Sequence, residues 1–460
     1  MNEKIFVEII FILSIFVMIF LILRRPFFYI RLHNRKIKFD TYIIGALLAP
    51  ILIIIFGLIN YSQMIRGLSG EGNLNPFGVL VLFLSMVFMS IYLDITGFFE
   101  YCARLALSFS KNNGKILFFS FYFMISFLTI FTSNDIIILT FTPFIYYFTK
   151  HANVDPVPYL IAEFFAANTW SMMIYIGNPT NIVLATAFRI DFIEYFKWMI
   201  LPTLTAGFVN LALLYLVFRK RLQINVEHKE MVRPADAITD KLGAIFGVVV
   251  LFCCIILLAV APYLGIQLWH VSFGFAIILI IILIIREIYV SVIKRNISLE
   301  ELTFAKTLRR MPVGIIPFVL AMFITVEALR IYGVTADIGY FLKNIVAQSS
   351  TSDVFIFGFS SAFFANIVNN IPMTVAYVPI IQTATSSASS LPAVLATVVG
   401  SNLGANITPI GALAGIMWMS ILRTKNVTIS FKNFIKYGLI ITPLTLLVCL
   451  GVLAFEFLIF

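Results

Sequence analysis

Apolar segments long enough to cross a bilayer recur along the whole of this 460-residue chain. A helix of about 20 apolar residues covers the roughly 30 Å hydrocarbon core of a membrane. Hydrophobic residues make up 61% of the sequence and charged residues only 12%, against about 25% charged residues in soluble domains. So little polar surface could not cover a soluble core of this composition. The sequence therefore predicts an all-α polytopic membrane protein, with the lipid bilayer as its surroundings.

Ten segments are predicted to span the membrane, and two others, 116–149 and 353–382, are interrupted by polar residues near their middle. The basic segment 24–38 contains no acidic residue, which indicates a cytoplasmic location. Alternating sides from there makes each interrupted segment a re-entrant hairpin, the first entering from the cytoplasm and the second from outside. Both termini are then predicted outside. The predicted spans lie near 5–23, 41–60, 77–95, 157–190, 196–218, 242–262, 268–285, 312–332, 392–422 and 433–458.

The order of these parts repeats along the chain. Residues 1–218 and 242–460 each contain five predicted spans and one hairpin, and a basic cytoplasmic linker, 219–241, joins them. An odd number of spans inverts the second half relative to the first. In each half the hairpin is followed by a long segment predicted to be a broken span, 157–190 and 392–422. Opposed hairpins and inverted repeats with broken helices are typical of secondary transporters, which predicts a multi-pass protein of the cell (plasma) membrane.

Four polar clusters lie within the apolar segments, two in each half. Each combines Asn with a helix-breaking Gly or Pro, or lies at a predicted hairpin tip. Freed backbone carbonyls can coordinate a cation such as Na⁺, whereas helix N-termini attract an anion. The alternative is that these side chains only join helices through hydrogen bonds, but their symmetric recurrence favours a substrate and ion site. The candidate site residues are Asn134, Asp135, Asn168, Thr169, Asn178, Thr180, Asn181, Asn369, Asn370, Ser401, Asn402, Asn406 and Thr408, and the predicted helix breaks are at Gly177, Pro179, Pro372, Gly404 and Pro409.

Ionisable side chains within membrane spans indicate function because burying them is costly. Asp135, at the first hairpin tip, is the strongest candidate for a carboxylate that accepts a proton or binds a cation. Glu327 and Arg330 are three residues apart on one predicted helix, so they are expected to pair, either as a structural ion pair or as part of a gate. Glu163 lies in the first half of a broken span, and its position favours a hydrated carboxylate facing the cytoplasm.

Other classes of protein lack support in the sequence. No phosphate-binding loop for ATP is present, so active transport would be ion-coupled or would depend on a separate ATPase partner. No cluster of His, Cys and carboxylates has the spacing of a metal site, and no cofactor or nucleic-acid motif occurs. An intramembrane enzyme would need a nucleophile with a base, and Ser401 has neither His nor Lys near it in sequence. A channel is less favoured, since paired inverted repeats indicate alternating access.

Four stretches carry a specific resemblance to known transporters. Residues 93–100 resemble a Leu-Asp-Glu-Ile-Gly-Phe-Phe-Glu motif, residues 134–143 a first hairpin, residues 369–372 an Asn-Asn-Met-Pro motif, and residues 407–414 an Ile-Thr-Pro-Ile-Gly-Ser-Leu-Ala motif. These motifs, in this order, are those of the arsenite efflux permease family of the ion transporter superfamily. That superfamily also includes the D-type sodium/proton antiporters and the divalent anion/sodium symporters.

The departures from the arsenite permease pattern fall in the candidate site. Asn168 and Asn402 stand where the family has Asp, Asn406 stands where it has Lys, and residues 177–181 replace a Ser-Asn-Leu-Val-Asn motif. The resemblance implies export of arsenite or antimonite by alternating access, coupled to H⁺ or Na⁺, in a homodimer. The two lost carboxylates favour an alternative, sodium- or proton-coupled transport of a small organic or inorganic anion. Na⁺/H⁺ antiport is a further alternative. Asp135 is then the main carboxylate left for coupling.

Overall fold

The computed structural model describes residues 3–25, 27–32, 35–70, 75–110, 113–222, 233–294, 302–345, 349–385, 390–425, 427 and 429–459. Within these ranges, nine helical segments are long and apolar enough to cross a membrane. Their exposed faces carry large hydrophobic side chains, such as Phe16 on the first helix and Ile285 and Tyr289 on a later one, as lipid-facing helices require. The prediction of an all-α polytopic membrane protein is confirmed, apart from one short β-hairpin.

The N-terminal part contains a buried helix, and helices from later in the chain cover most of its surface. The elements of this part are α1 (Glu3–Arg24), β1 (Phe27–Leu32), β2 (Arg35–Asp40), α2 (Tyr42–Ile55), α3 (Tyr61–Ser69), α4 (Pro76–Ile95) and α5 (Phe98–Phe109). Helix α4 is apolar on every side, and 83% of the residues in an 18-residue apolar stretch of it are buried, because neighbouring helices cover it. The predicted span 41–60 is shorter than expected, since α2 has 14 residues and ends in a turn at Phe56 and Gly57.

The basic segment 24–38, for which only a cytoplasmic location is predicted, contributes most of an antiparallel hairpin. The strands pair from Phe27 opposite Asp40 to Leu32 opposite Arg35. Aromatic and β-branched residues favour this pairing, and the rings of Phe28 and Phe39 lie 5.5 Å apart.

The two halves each contain two helices joined at a polar tip, then a broken helix, then a long helix. In the first half these are α6 (Gly114–Phe131), α7 (Asn134–His151), α8 (Val157–Trp170), a 3₁₀ turn (Tyr175–Gly177), α9 (Pro179–Ala187) and α10 (Phe192–Phe218). In the second half they are α16 (Ser350–Val368), α17 (Asn370–Ala384), α18 (Leu391–Leu403), a 3₁₀ turn (Gly404–Asn406), α19 (Leu413–Thr424) and α20 (Phe431–Ile459). The depth of the tips in the bilayer and the inversion of the halves stay predictions.

The elements between these two assemblies complete the chain. They are a 3₁₀ turn (Pro234–Ala237), α11 (Lys241–Val260), a second 3₁₀ turn (Ala261–Leu264), α12 (Leu268–Lys294), α13 (Thr303–Arg310), α14 (Ile315–Ile331) and α15 (Val334–Ile345). Helix α12 packs against α4 and α11, and α14 packs against α2, so these helices flank the buried centre.

Asp240 fixes the start of α11, where the predicted linker 219–241 ends. Its carboxylate accepts a hydrogen bond from the backbone N–H of Gly243 at 3.0 Å and an ion-pair contact from Arg286 on α12. Partial burial acts to raise the pKa of Asp240, but the hydrogen bonds from Arg286 and Gly243 outweigh it and hold this pKa below its usual value. The backbone N–H of Thr239 also donates to the carbonyl of Thr96, at 3.0 Å, which ties this linker end to the end of α4.

Candidate functional site

The polar clusters lie where helices begin or break, and the local sequence explains each end. Ser133 caps α7, and its hydroxyl accepts from the N–H of Asp135. Asn178 caps α9 and accepts from the N–H of Thr180 at 3.2 Å, with Pro179 at the first helical position, where its missing N–H costs nothing. Asn369 caps α17 with φ 75° and ψ 151°, a sparsely populated backbone conformation, and its side chain accepts from the N–H of Ile371 at 3.3 Å.

The predicted helix breaks fall mainly in the two interruptions. Gly177 ends the first 3₁₀ turn and Pro179 begins α9, while Gly404 begins the second 3₁₀ turn and Pro409 lies between that turn and α19. Pro372 is different, because it lies in the first turn of α17 and breaks no helix. A proline is tolerated there, since the first-turn N–H groups have no intrahelical acceptor.

Asn402, on α18, connects the broken helices of the two halves. Its Oδ1 accepts from Asn178 Nδ2 at 2.9 Å and from Ser171 Oγ at 3.0 Å. Its Nδ2 donates to Asn181 Oδ1 at 2.7 Å. Next to it, the hydroxyls of Ser401 and Thr180 are 3.3 Å apart. All five of the predicted site residues named here are buried, so the two interruptions interlock through neutral polar side chains. We call these residues the amide junction: Ser171, Asn178, Thr180, Asn181, Ser401 and Asn402.

A second row of amides extends the amide junction to the first tip. Asn134 Nδ2 donates to Asn168 Oδ1 at 2.9 Å, and Asn168 Nδ2 donates to Asn406 Oδ1 at 3.0 Å. The row therefore passes from the start of α7, through the end of α8, to the 3₁₀ turn of the other half. Asn168 and Asn402 each give and accept hydrogen bonds here, which a carboxylate at either position could not do.

The second tip is bonded to the interruption in its own half. Asn369 Nδ2 donates to the carbonyl of Ile410 at 2.9 Å, and the N–H of Asn370 donates to the carbonyl of Gly411 at 2.9 Å. Thr408 Oγ1 donates to Asn366 Oδ1 at 2.7 Å. No hydrogen bond between these predicted site residues and the amide junction occurs among the residues that the structure covers.

Several buried polar atoms at the end of α8, at the start of α17 and in the 3₁₀ turn Gly404–Asn406 have no hydrogen-bond partner in the described part of the chain. They are Thr169 Oγ1, Asn370 Oδ1, Thr374 Oγ1 and Asn406 Nδ2. Buried polar atoms are normally paired. Unpaired donors and acceptors near the two interruptions therefore offer hydrogen bonds to a solute.

Asp135 lies beside the amide junction without joining it. The residue is 4% exposed, and its backbone N–H donates to Ser133 Oγ at 3.3 Å and to Asn134 Oδ1 at 2.9 Å. Its carboxyl makes no hydrogen bond or ion pair within the described ranges. Its helix, α7, packs against α4 and α5 of the N-terminal part. Asp135 is thus at the contact between the first tip and the N-terminal helices.

Glu327 and Arg330 form the predicted ion pair, with both N–O distances at 2.9 Å. The pair lies on α14 next to α3, since a Cβ added at Gly67 would be 3.1 Å from the Glu327 Cβ. It shares no hydrogen bond with the amide junction among the described residues. This placement favours the structural alternative over a gate at the site.

The expectation of a hydrated Glu163 is wrong. This side chain is completely buried, because α6, α7 and α10 pack around α8 and the aromatic side chains of α19 and α20 cover the remaining side.

Two further residues of the site were missed in the sequence. Ser171 bonds Asn402 across the halves, and Asn366 Nδ2 donates to the carbonyl of Gly404 at 2.8 Å while its Oδ1 holds Thr408. Ser171 is three residues after Asn168, and Asn366 is three residues before the second tip. Proximity of small polar residues to the predicted breaks was the available signal.

These features define a class of protein. A multi-pass helical chain whose two halves meet at broken helices is a membrane transporter. The fold agrees, since the chain is similar to the solved structure of MtrF from Neisseria gonorrhoeae, an antimetabolite efflux pump, with a TM-score of 0.55 over 99% of this chain and 94% of that one at 12% identity.

The family follows from sequence comparison. The model of the citrate transporter family (CitMHS) matches residues 19–400, and the chain belongs to this family. The arsenical pump membrane protein of Escherichia coli (strain K12) is 30% identical over 379 residues, which is 81% of this chain and 85% of that protein. A putative arsenical pump membrane protein of Bacillus subtilis (strain 168) is 26% identical over 432 residues, 90% of this chain and 94% of that one. These relatives confirm the resemblance to arsenite permeases.

Proposed function

We propose that this protein is an ion-coupled secondary transporter that exports arsenite, and antimonite with it, by alternating access. The observation that carries the proposal is the amide junction, which joins the two interruptions through side chains that are all uncharged. Arsenite at neutral pH is the uncharged acid As(OH)₃, whose three hydroxyls both donate and accept hydrogen bonds. Asn side chains and hydroxyls offer the same combination of donors and acceptors.

An uncharged solute suits this site because of the cost of burial. Moving an unpaired ion into a buried environment costs several kcal/mol even after relaxation, whereas a neutral hydroxyl needs only hydrogen-bond partners. Asn370 Oδ1 at the second tip is an unpaired acceptor, and Asn406 Nδ2 in the second interruption is an unpaired donor, among the described residues. In this proposal the two tips and the two broken helices move against α2, α4, α12 and α14, and Asp135 carries the coupling ion. The homodimer that the resemblance implies stays a prediction.

The second candidate is sodium- or proton-coupled transport of a small anion. It is favoured by one observation, the replacement of two family carboxylates by Asn168 and Asn402, which removes negative charge that would repel an anion. Amide and backbone oxygens near the interruptions could also coordinate Na⁺.

The test is arsenite flux into inside-out membrane vesicles from cells that lack their own arsenite exporter. Proton and sodium gradients are imposed separately, with the vesicle lumen acidic in the first case. Export coupled to proton entry predicts that arsenite accumulates in the acidic lumen and that accumulation stops when the gradient is dissipated. Vesicles that hold folded protein but accumulate no arsenite under either gradient would refute the proposal. Sodium-dependent flux of citrate or another small anion in those vesicles would establish the second candidate.

A further inference from the structure

Glu163 is a buried acid that the proposed transport mechanism does not use. It lies on α8, five residues before Asn168, and its side chain is 0% exposed. Its neighbour along the helix, Phe164, packs against Trp418 of α19 and Phe434 of α20, with ring centroids 5.4 and 5.2 Å apart. Glu163 is therefore enclosed where elements of both halves meet.

The hydrogen bonds of the Glu163 carboxyl are incomplete. Thr142 Oγ1, on α7, donates to Glu163 Oε1 at 2.7 Å. Glu163 Oε2 has no partner in the described part of the chain, and neither has the indole Nε1 of Trp418, the adjacent donor on α19. The carboxyl thus contacts α7, the helix that begins at the first tip, and lies beside α19, which belongs to the second broken helix.

Among the described residues, no basic side chain bonds the Glu163 carboxyl, whose Oε1 contacts Thr142 and whose Oε2 has no partner. The polar groups that act on Glu163 are Thr142 and Trp418, both uncharged. The basic side chains on the elements packed around it are Lys115 on α6, Lys150 and His151 on α7, Lys197 on α10, Arg423 on α19, and Lys432 and Lys436 on α20. None of them forms a hydrogen bond or an ion pair with Glu163 among the described residues. Asp135 is also on α7, seven residues before Thr142. At 1.5 Å per residue, this separation is about 10 Å along the helix axis. An isolated buried carboxylate costs several kcal/mol, so the uncharged acid is the form that fits this enclosure.

We propose that Glu163 is a proton-binding site of the transport cycle, separate from Asp135. In the packed arrangement the proton is held on the carboxyl as an O–H bond. When α7 and α19 move away from α8, water reaches the carboxyl, the O–H bond breaks, the proton passes to water, and the carboxylate remains. Movement of the two broken helices is thereby linked to uptake and release of one proton. The transport part of this proposal rests on the proposed function, but the protonation part does not.

The first experiment needs no substrate. Infrared spectra of the full-length protein in lipid nanodiscs at neutral pH are compared between wild type and Glu163→Gln, which keeps the size of the side chain and an acceptor for Thr142. We expect the variant to lose a carbonyl band of a protonated carboxylic acid. Glu194→Gln, at an exposed position on α10, is the matched control and should leave that band unchanged. If the spectra of wild type and Glu163→Gln are the same, the proposal is wrong.

Thr142→Val keeps the experiment decisive if Glu163→Gln does not fold. This variant retains the acid but removes its hydrogen bond, so the same carbonyl band should persist at a shifted frequency. An unshifted band would show that the band belongs to another carboxyl and would overturn the assignment.

The second experiment uses the inside-out vesicles. With Glu163→Gln, acid-driven arsenite accumulation should fall to equal concentrations on both sides, while exchange of arsenite at equal pH persists. Full acid-driven accumulation by the variant would overturn the coupling role even if the infrared band is lost. If wild type itself moves no arsenite, the proposed function fails, and the infrared comparison still decides whether Glu163 holds a proton.

Discussion

Replacing Asn402 by Ala tests whether the two halves are held together by the amide junction. The substitution removes the acceptor for Asn178 Nδ2 and for Ser171 Oγ, and the donor to Asn181 Oδ1. Ser171 keeps its bond to the carbonyl of Asn168, so two buried groups lose their main partner. The three bonds that are lost join Asn402 to residues 221, 224 and 231 positions away in sequence.

The expected loss of stability follows from these two groups. A buried polar group left without its partner costs about 1–3 kcal/mol, which gives roughly 2–6 kcal/mol for the pair. The lower end agrees with a second estimate, since interhelical hydrogen bonds in a membrane average about 0.6 kcal/mol each and three such bonds give about 2 kcal/mol. Asn402→Ala should therefore lower the free energy of unfolding by about 2 kcal/mol or more.

The measurement is reversible unfolding of the purified protein in mixed micelles with increasing denaturing detergent. Thr397→Val is the matched control on the same helix, because within the described residues the Thr397 hydroxyl bonds only the carbonyl of Ala393 in its own helix. Its loss should be about 1 kcal/mol. In a double-mutant cycle, Asn178→Ala with Asn402→Ala should cost less than the sum of the two single variants, because the orphaned amide is then absent. A loss for Asn402→Ala no larger than that of the control, with additive effects in the cycle, would refute the reasoning.

Three further predictions concern separate features. Gly400→Ala should lower the yield of folded protein, because the added Cβ would lie 2.4 Å from the backbone carbonyl oxygen of Gly358 on α16. Gly451→Ala is the control and should not lower the yield, since an added Cβ there has nothing within 4 Å. Equal yields of monodisperse protein for the two variants would contradict this. Asp240 has a lowered pKa when folded, so its contribution to stability exists above the ordinary carboxyl pKa of about 3.9 and is lost as pH falls through the folded value. Asp240→Asn, which weakens the contact with Arg286, should therefore flatten the acid side of the curve of melting temperature against pH, and an unchanged slope would argue against it. Asp135→Asn should change the dependence of arsenite flux on pH or Na⁺, and unchanged dependence on both would exclude its coupling role.

The long helices could be predicted because membrane spanning depends on apolar length, which the sequence displays directly. Helices α1, α4, α10, α11, α12 and α20 correspond to predicted spans within a few residues, except that α12 extends further at its C-terminal end. The short helices α3, α5, α13 and α15 were missed. Helix α13, for example, is strongly amphipathic and includes Arg309 and Arg310, so its sequence contains no apolar run that would mark it as a helix.

The members of the site could be predicted, but their partners could not. Asn next to Gly or Pro marks a break in any apolar segment, whereas the partner of each side chain depends on how distant helices pack. A repeated spacing offers a partial guide. Pro143 follows Asn134 by nine residues and Pro379 follows Asn370 by nine, while Gly177 and Gly411 each come nine residues after Asn168 and Asn402. This spacing aligns the halves, and it does not reveal that Asn402 bonds across them. Glu163 was misjudged because its burial is produced by α7, α19 and α20.

The amide junction also limits how a solute can enter. In the described arrangement, the row from Asn134 through Asn168 to Asn406 bonds the halves directly. A solute that separates the halves must replace those bonds, because orphaned buried amides would cost about 1–3 kcal/mol each. A compact solute with several hydroxyls can donate and accept in exchange, so the number of hydrogen bonds is conserved and the barrier stays low. A carboxylate solute accepts only, so it would leave the acceptor oxygens of these amides without donors unless a cation entered with it. The same geometry therefore predicts that transport of an uncharged polyhydroxy solute needs no bound cation at the junction, whereas transport of an anion requires one.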